Sequence, residues 1–219
     1  MCTPRTGISA WRGRGQYGGM EFSDVVRRRR MVRAYTDEPI DRSIVTGLLE
    51  LAIRAPSAGF SQGWHFLVLD TPADRDRFWT ATTDPDSEPD RWLTGMRSAP
   101  VLVLALSDKR AYLERYAEPD KGWTDRDESR WPVPYWDVDT GMASLLILLG
   151  AVDQGLGACF FGVPVPRLTA VRSAFGIDEA LAIVGVISLG RPAPDRRSPS
   201  LRRGRRGIED VVSFGQMGQ

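Results

Sequence analysis

Apolar residues recur along this chain with two periods. Ile44, Val45, Leu48, Leu49, Ala52 and Ile53 are spaced one, three and four apart, which lays one apolar face along a helix. Asp41 is placed to cap that helix and Pro56 to end it. Runs of strand length lie at 65–70, 99–106 and 181–190. The run 99–106 is apolar almost throughout, which predicts a central strand covered on both faces. Residues 108–117 read as a helix, and 137–154 as the most apolar helix of the chain, with Met142, Leu145, Leu146, Ile147, Leu148 and Leu149. That segment is shorter than the roughly 20 apolar residues a bilayer requires, so it is expected as a buried core helix or one shared between subunits. Pro166 opens a further helix ending near Gly176, and 208–212 is short and helix-like.

Other stretches break these periods. Residues 71–97 read as a helical, acidic excursion interrupted by Pro85 and Pro89 and anchored by Phe78, Trp79, Trp92 and Leu93, a candidate lid. Residues 118–136 carry Trp123, Trp131 and Trp136 among prolines, so they cannot form a regular helix; their rings either fold back on the domain or cover a flat ligand. The glycine-rich 155–164 is expected as a tight backbone turn. The small, polar loop 55–64 suits either ligand contact or a plain connection, and composition leaves both open. Residues 1–19 are Gly- and Arg-rich without an apolar signal core, and are expected as a loose tail, with Met20 a candidate translation start. Residues 20–219 are expected as a single domain.

Composition narrows the class. At 219 residues, 42% hydrophobic and 26% charged, the chain suits one soluble α+β domain. Its 29 basic residues meet 28 acidic ones for a net charge of +1, which argues against a nucleic-acid binder and makes the arginine clusters local features. Two cysteines, Cys2 and Cys159, supply neither a disulfide framework nor a zinc site, and a reducing, cytoplasmic compartment is expected. His65 is the sole histidine. Set in an apolar run, it reads as a core or strand residue rather than as part of a triad.

Two basic clusters carry the candidate chemistry: Arg27 to Arg30 with Arg33, a run expected on a short helix that Ser23 or Asp24 can cap, and Arg202, Arg203, Arg205 and Arg206. Arginines packed this densely repel one another unless an anion lies among them, and phosphate matches the guanidinium fork. If the fold brings the clusters together, they form a phosphate pocket that exists only in the folded chain.

Four stretches, in order, resemble the flavin-dependent nitroreductase family over roughly residues 21–213. They are RRRRMVRAYTDEPI, APSAGFSQGWHFLVL, the helix with Asp139-x-Gly141-x-Ala143 that ends in GLGACFFGVP, and LGRPAPDRRSPSLRRGRRGIEDVV. The resemblance implies an α+β, nitroreductase-like fold with a central mixed, mainly antiparallel sheet flanked by helices, in a domain-crossed homodimer with FMN at the subunit interface. It implies an NAD(P)H-linked oxidoreductase that reduces a nitroaromatic, quinone or related planar acceptor by ping-pong hydride transfer through flavin N5. No membrane or nucleic-acid partner is implied. No side chain need act as acid or base, because the cofactor carries the chemistry.

The resemblance further implies that Arg29, Arg30 and Met31 hold the phosphate and ribityl chain, that Arg33 places positive charge near the flavin, and that Arg203 and Arg205 complete the phosphate site. Pro56, Ser57, Ala58, Ser61 and Gln62 are implied at the flavin's edge, and Phe161 and Gly162 on its other side. Two positions depart from the family pattern: Met31 stands where serine is usual, and Phe60 with Gly63 where asparagine is common. A deazaflavin-linked reductase, a dehalogenase or dehydrogenase of the same fold, and a flavin-binding protein without turnover are the alternatives.

Overall fold

The computed structural model describes residues 20–84, 86–195 and 198–217. The tail expected over 1–19 and the break expected at Pro85 lie outside the described residues. The described elements run α1 (Phe22–Arg28), α2 (Arg42–Ala52), β1 (Trp64–Leu69), α3 (Pro72–Thr82), α4 (Arg91–Arg97), β2 (Val101–Asp108), α5 (Lys109–Ala117), α6 (Tyr135–Asp153), β3 (Gly157–Phe161), α7 (Leu168–Phe175) and β4 (Leu181–Gly190). The four strands pair antiparallel in the order β1-β2-β4-β3. Among the described residues, the parallel component of the expected mixed sheet is a single bridge from Met31 to Ala158.

Strand alternation divides the core into two layers. Leu102, Leu104 and Leu106 of β2 face Phe78, Trp79 and Met96 from α3 and α4. Val101 and Val103 face Val45 and Leu48 of α2 and Ile147 of α6. β2 is buried from Val101 to Ser107, as its unbroken apolar run predicts. His65 lies on β1 as expected of a strand residue, but is itself exposed near one end of that strand. Asp41 caps α2, its carboxylate accepting the Ser43 N–H at 2.7 Å.

α6 spans 19 residues and reaches the length and hydropathy of a membrane span. It packs instead on α2 and across the sheet, with Ala143, Ile147 and Ala151 fully buried. Val138, Met142 and Leu145 on the same helix stay exposed. The tryptophan-rich segment folds back on the domain: Trp131 meets Tyr116 at 4.6 Å and Tyr112 at 6.0 Å between ring centroids.

Two expectations are corrected. Residues 155–164 are no simple turn, since Gly157–Phe161 form the edge strand β3, in register from Gly157 opposite Gly190 to Phe161 opposite Val186. Gly157 suits its place in that strand because a Cβ there would lie 2.9 Å from the Val32 side chain, so the residue that signals a turn serves close approach. The first helix does not carry the whole arginine run. It ends at Arg28, and Arg29 turns to extended backbone at φ −55°, ψ 123°. The following residues are claimed by the sheet, the Val32 N–H donating to the Ala158 carbonyl at 2.9 Å.

Candidate functional site

Leaving α1, the chain runs extended along β3 and then beside the segment that follows β4. The Thr36 N–H donates to the Arg191 carbonyl and the Ala193 N–H to the Ala34 carbonyl, both at 3.0 Å. Tyr35 locks this clamp from inside. It is 5% exposed, and its hydroxyl donates to the Val32 carbonyl at 2.6 Å and lies 2.7 Å from Ser188 Oγ. Burial pushes the Tyr35 phenol well above its ordinary value, so it stays protonated.

The clamp brings the two basic clusters to one place. Arg29, Arg30, Met31 and Arg33 line a cavity of 310 Å³ opposite Ser198, Ser200, Leu201 and Arg205. The Nη1 of Arg29 is buried there without an acceptor among the described residues. An unpaired buried guanidinium nitrogen is costly, and an anion in the cavity would supply its partner. The wall is not purely basic: Asp195 also lines it, 3.7 Å from the Arg91 guanidinium of α4. Met31 turns its thioether toward β3, where Sδ accepts the Phe160 N–H at 3.5 Å. Cys159 is buried beside this segment, and burial raises its thiol above its usual range, against the lowering effect of Arg33.

Two further cavities continue the cleft. The second, of 540 Å³, shares Arg33, Asp195 and Ser198 with the first and adds Arg91, Trp92 and Arg202. The third, of 310 Å³, shares Trp92 with the second and is lined by Phe78, Trp79, Phe161 and Gly162, with Glu88 and Asp90 among its polar residues. Trp79 and Phe161 stack there at 5.9 Å and 7°, with Trp92 edge-on to Phe161 at 5.6 Å. The cleft thus runs from arginines at one end to aromatic rings with carboxylates at the other.

The loop 56–62 stands apart from this cleft. Its backbone is bent, with Phe60 at φ 57° and Gln62 at φ 52°, an uncommon conformation for side-chain-bearing residues. Asp139, 2% exposed, holds it by accepting the Ala58 N–H at 2.9 Å and the Tyr112 hydroxyl at 2.8 Å. Arg115 Nε donates to the Gly59 carbonyl at 3.0 Å.

Residues 26–191 match the sequence pattern of the Nitroreductase family. The chain belongs to that family. A protein of Archaeoglobus fulgidus provisionally named NADH dehydrogenase/NAD(P)H nitroreductase is 30% identical over 178 residues, covering 80% of this chain and 88% of the relative. A provisionally named nitroreductase of Desulfovibrio desulfuricans, crystallised in complex with FMN, superposes with a TM-score of 0.65 at 26% identity over 89% of this chain and 96% of that one. The Bacillus subtilis protein ydfN, at a TM-score of 0.69 and 17% identity over 88% and 98%, shares the fold. This nitroreductase-family chain is accordingly an oxidoreductase.

Of the residues implied by the family resemblance, Arg29, Arg30, Met31, Arg33 and Arg205 meet in one cavity. Phe161 and Gly162 line the aromatic end of the same cleft. Arg203 lines none of the three cavities, and Arg202 stands beside the second instead. Pro56, Ser57, Ala58, Ser61 and Gln62 line none of these three cavities. Sequence reasoning missed Asp195, Ser198, Arg91 and the place of Trp92 between two cavities. The adjacency of Arg91 and Trp92 just after the acidic stretch 84–90 was the one available signal.

Proposed function

We propose that this member of the nitroreductase family binds FMN and passes electrons from NADH or NADPH to a small planar acceptor, a nitroaromatic or a quinone. The observation that carries the reading is the meeting of Arg29, Arg30, Arg33 and Arg205 around one cavity with a buried, unpaired Arg29 nitrogen. The donor set fits a phosphate monoester, which takes two or more guanidinium groups. The FMN bound to the Desulfovibrio relative supports the same assignment. When bound, the flavin supplies two-electron hydride chemistry between donor and acceptor.

The chain's own part is to hold and tune. Arg29, Arg30 and Arg205 would grip the phosphate, and Arg33 would place a fixed positive charge toward the ring, favouring added negative charge there. Phe161 and Gly162 would bound the ring on the aromatic side. The bent loop from Ser57 to Gln62 would reach the flavin of a second subunit, which explains why it lies away from the arginines of its own chain. A homodimer also accounts for the apolar residues left open on α6, namely Val138, Met142 and Leu145, and for Ile208, Val211 and Phe214 near the C-terminus.

The test is a visible spectrum of freshly purified protein, mass analysis of any released chromophore, and anaerobic addition of NADH and NADPH. FMN at about one per subunit, bleached by either donor, is expected. A colourless protein that fails to take up added FMN would overturn the cofactor assignment. Bound FMN that neither nicotinamide reduces would indicate a carrier or a different donor.

A further inference from the structure

The third cavity has a chemistry of its own. It is walled by Phe78, Trp79, Trp92 and Phe161, its polar groups include the carboxylates of Glu88 and Asp90, and among the described residues no arginine, lysine or histidine lines it. Its 310 Å³ exceeds the roughly 150 Å³ that suffices for a benzene ring, so a one- or two-ring molecule fits. Asp90 caps α4, its Oδ1 accepting the Leu93 N–H at 2.7 Å. The buried indole N–H of Trp79 has no acceptor among the described residues. Trp92 joins this cavity to the one lined by Arg33, so a molecule lodged here would sit next to the proposed flavin site.

We infer that this aromatic cavity is the acceptor subsite, and that its acidic lining selects neutral or cationic planar aromatics over carboxylate-bearing ones. The inference rests on the flavin-dependent reading above. The rings supply stacking surface that any planar acceptor shares, whereas Glu88 and Asp90 set the charge preference. An anionic substituent beside two carboxylates is disfavoured by a factor of about 5 for each contact in water, less in high salt. Discrimination on the order of tenfold follows.

Binding is separable from turnover if the ligands cannot be reduced. The experiment is isothermal titration of the oxidised, flavin-loaded protein with benzyltrimethylammonium, benzyl alcohol and benzoate, repeated with the Glu88→Gln/Asp90→Asn double variant. Asparagine preserves the helix cap, so the variant is expected to fold. The expected result is benzoate binding about tenfold more weakly than the alcohol, with the ammonium ligand at least equal to it, and the gap closing in the variant. Benzoate binding as tightly as the alcohol, a gap unchanged by the variant, or no binding of any of the three would overturn the inference. Failure of the redox reading is distinct: charge-ordered binding would persist while NADH and NADPH left the chromophore unbleached.

Discussion

Gly95 of α4 packs against the backbone carbonyl of Arg33. A Cβ at position 95 would meet that oxygen at well under 3.0 Å, with the Arg33 carbonyl carbon at 3.2 Å. The obstacle is backbone on both sides, so neither partner can move a side chain out of the way. Helix α4 therefore fixes where Arg33 stands in the cleft. Gly95→Ala is expected to cost about 1–3 kcal/mol through overpacking, lowering the melting temperature by about 2–4 °C per kcal/mol in a chain of this size. Flavin affinity should fall with it. A thermal melt alongside a flavin titration checks both, and an unshifted melt would mean that the two segments are free to separate.

Loss of either proposed phosphate contact should show in cofactor affinity before it shows in folding. Hydrogen bonds to charged groups contribute about 1.5–3 kcal/mol, so Arg29→Ala and Arg205→Ala should each weaken FMN by roughly 10- to 150-fold. Arg203→Ala should change it by no more than about twofold, as for an uninvolved surface residue. Fluorescence titration of the apoprotein reads all three. Equal losses at positions 203 and 205 would return Arg203 to the phosphate site.

Asp139 links the bent loop to the helices behind it. Asp139→Ala leaves the Ala58 N–H and the Tyr112 hydroxyl without acceptors, and each buried unpaired group costs about 1–3 kcal/mol. Tyr112→Phe removes one donor and should cost less, about 0.5–1.5 kcal/mol. Urea melts give the order, and limited proteolysis should show earlier cleavage around Phe60 in the alanine variant alone. Identical melts for both variants would assign the strength to Tyr112 rather than to the carboxylate.

Tyr35 and Tyr112 both hold their protons more tightly in the folded chain than a free phenol does, Tyr35 mainly through burial and Tyr112 through burial and the Asp139 carboxylate. Above pH 10 the unfolded chain releases protons that the folded chain keeps. Stability from these two groups is therefore complete below pH 10 and declines above it, by about 1.4 kcal/mol per pH unit for each. Denaturation midpoints between pH 9 and 11 should fall more shallowly in Tyr35→Phe than in the parent. Parallel slopes would show that other groups govern the alkaline limb.

Leu145 lies on the open face of α6, 46% exposed. Leu145→Glu leaves the chain's own core untouched but places a charge on the proposed subunit contact. Light scattering should report a monomer, and the flavin should be lost with the partner's loop. A variant that stays dimeric would move the contact to another face.

Sequence periodicity revealed the elements that are apolar in a regular way. β2, β4, α2 and the core face of α6 fall where their spacing predicts. β3 was hidden because Gly157 signals a turn by composition, while its actual use is to admit Val32, a tertiary demand that no local pattern records. The end of α1 was hidden for a related reason: Arg29 to Val32 have no anti-helical composition, and it is the Ala158 carbonyl, far along the chain, that draws them into extended form. The phosphate end of the cleft was legible from charge density alone. Its continuation toward Trp92 was not, since Arg91 and Trp92 sit in an acidic stretch whose pattern indicates only a solvent-facing helix.

The backbone clamp that pairs Ala34 and Thr36 with Arg191 and Ala193 has a consequence for biosynthesis. Arg205 leaves the ribosome long after Arg29, and β4 must exist before the segment after it can hold them together. At about 5–20 residues per second, the first arginines wait on the order of ten seconds or more for their counterparts. The anion pocket cannot form on a nascent fragment that lacks Arg205, so the cofactor meets only chains in which that arginine has already been made.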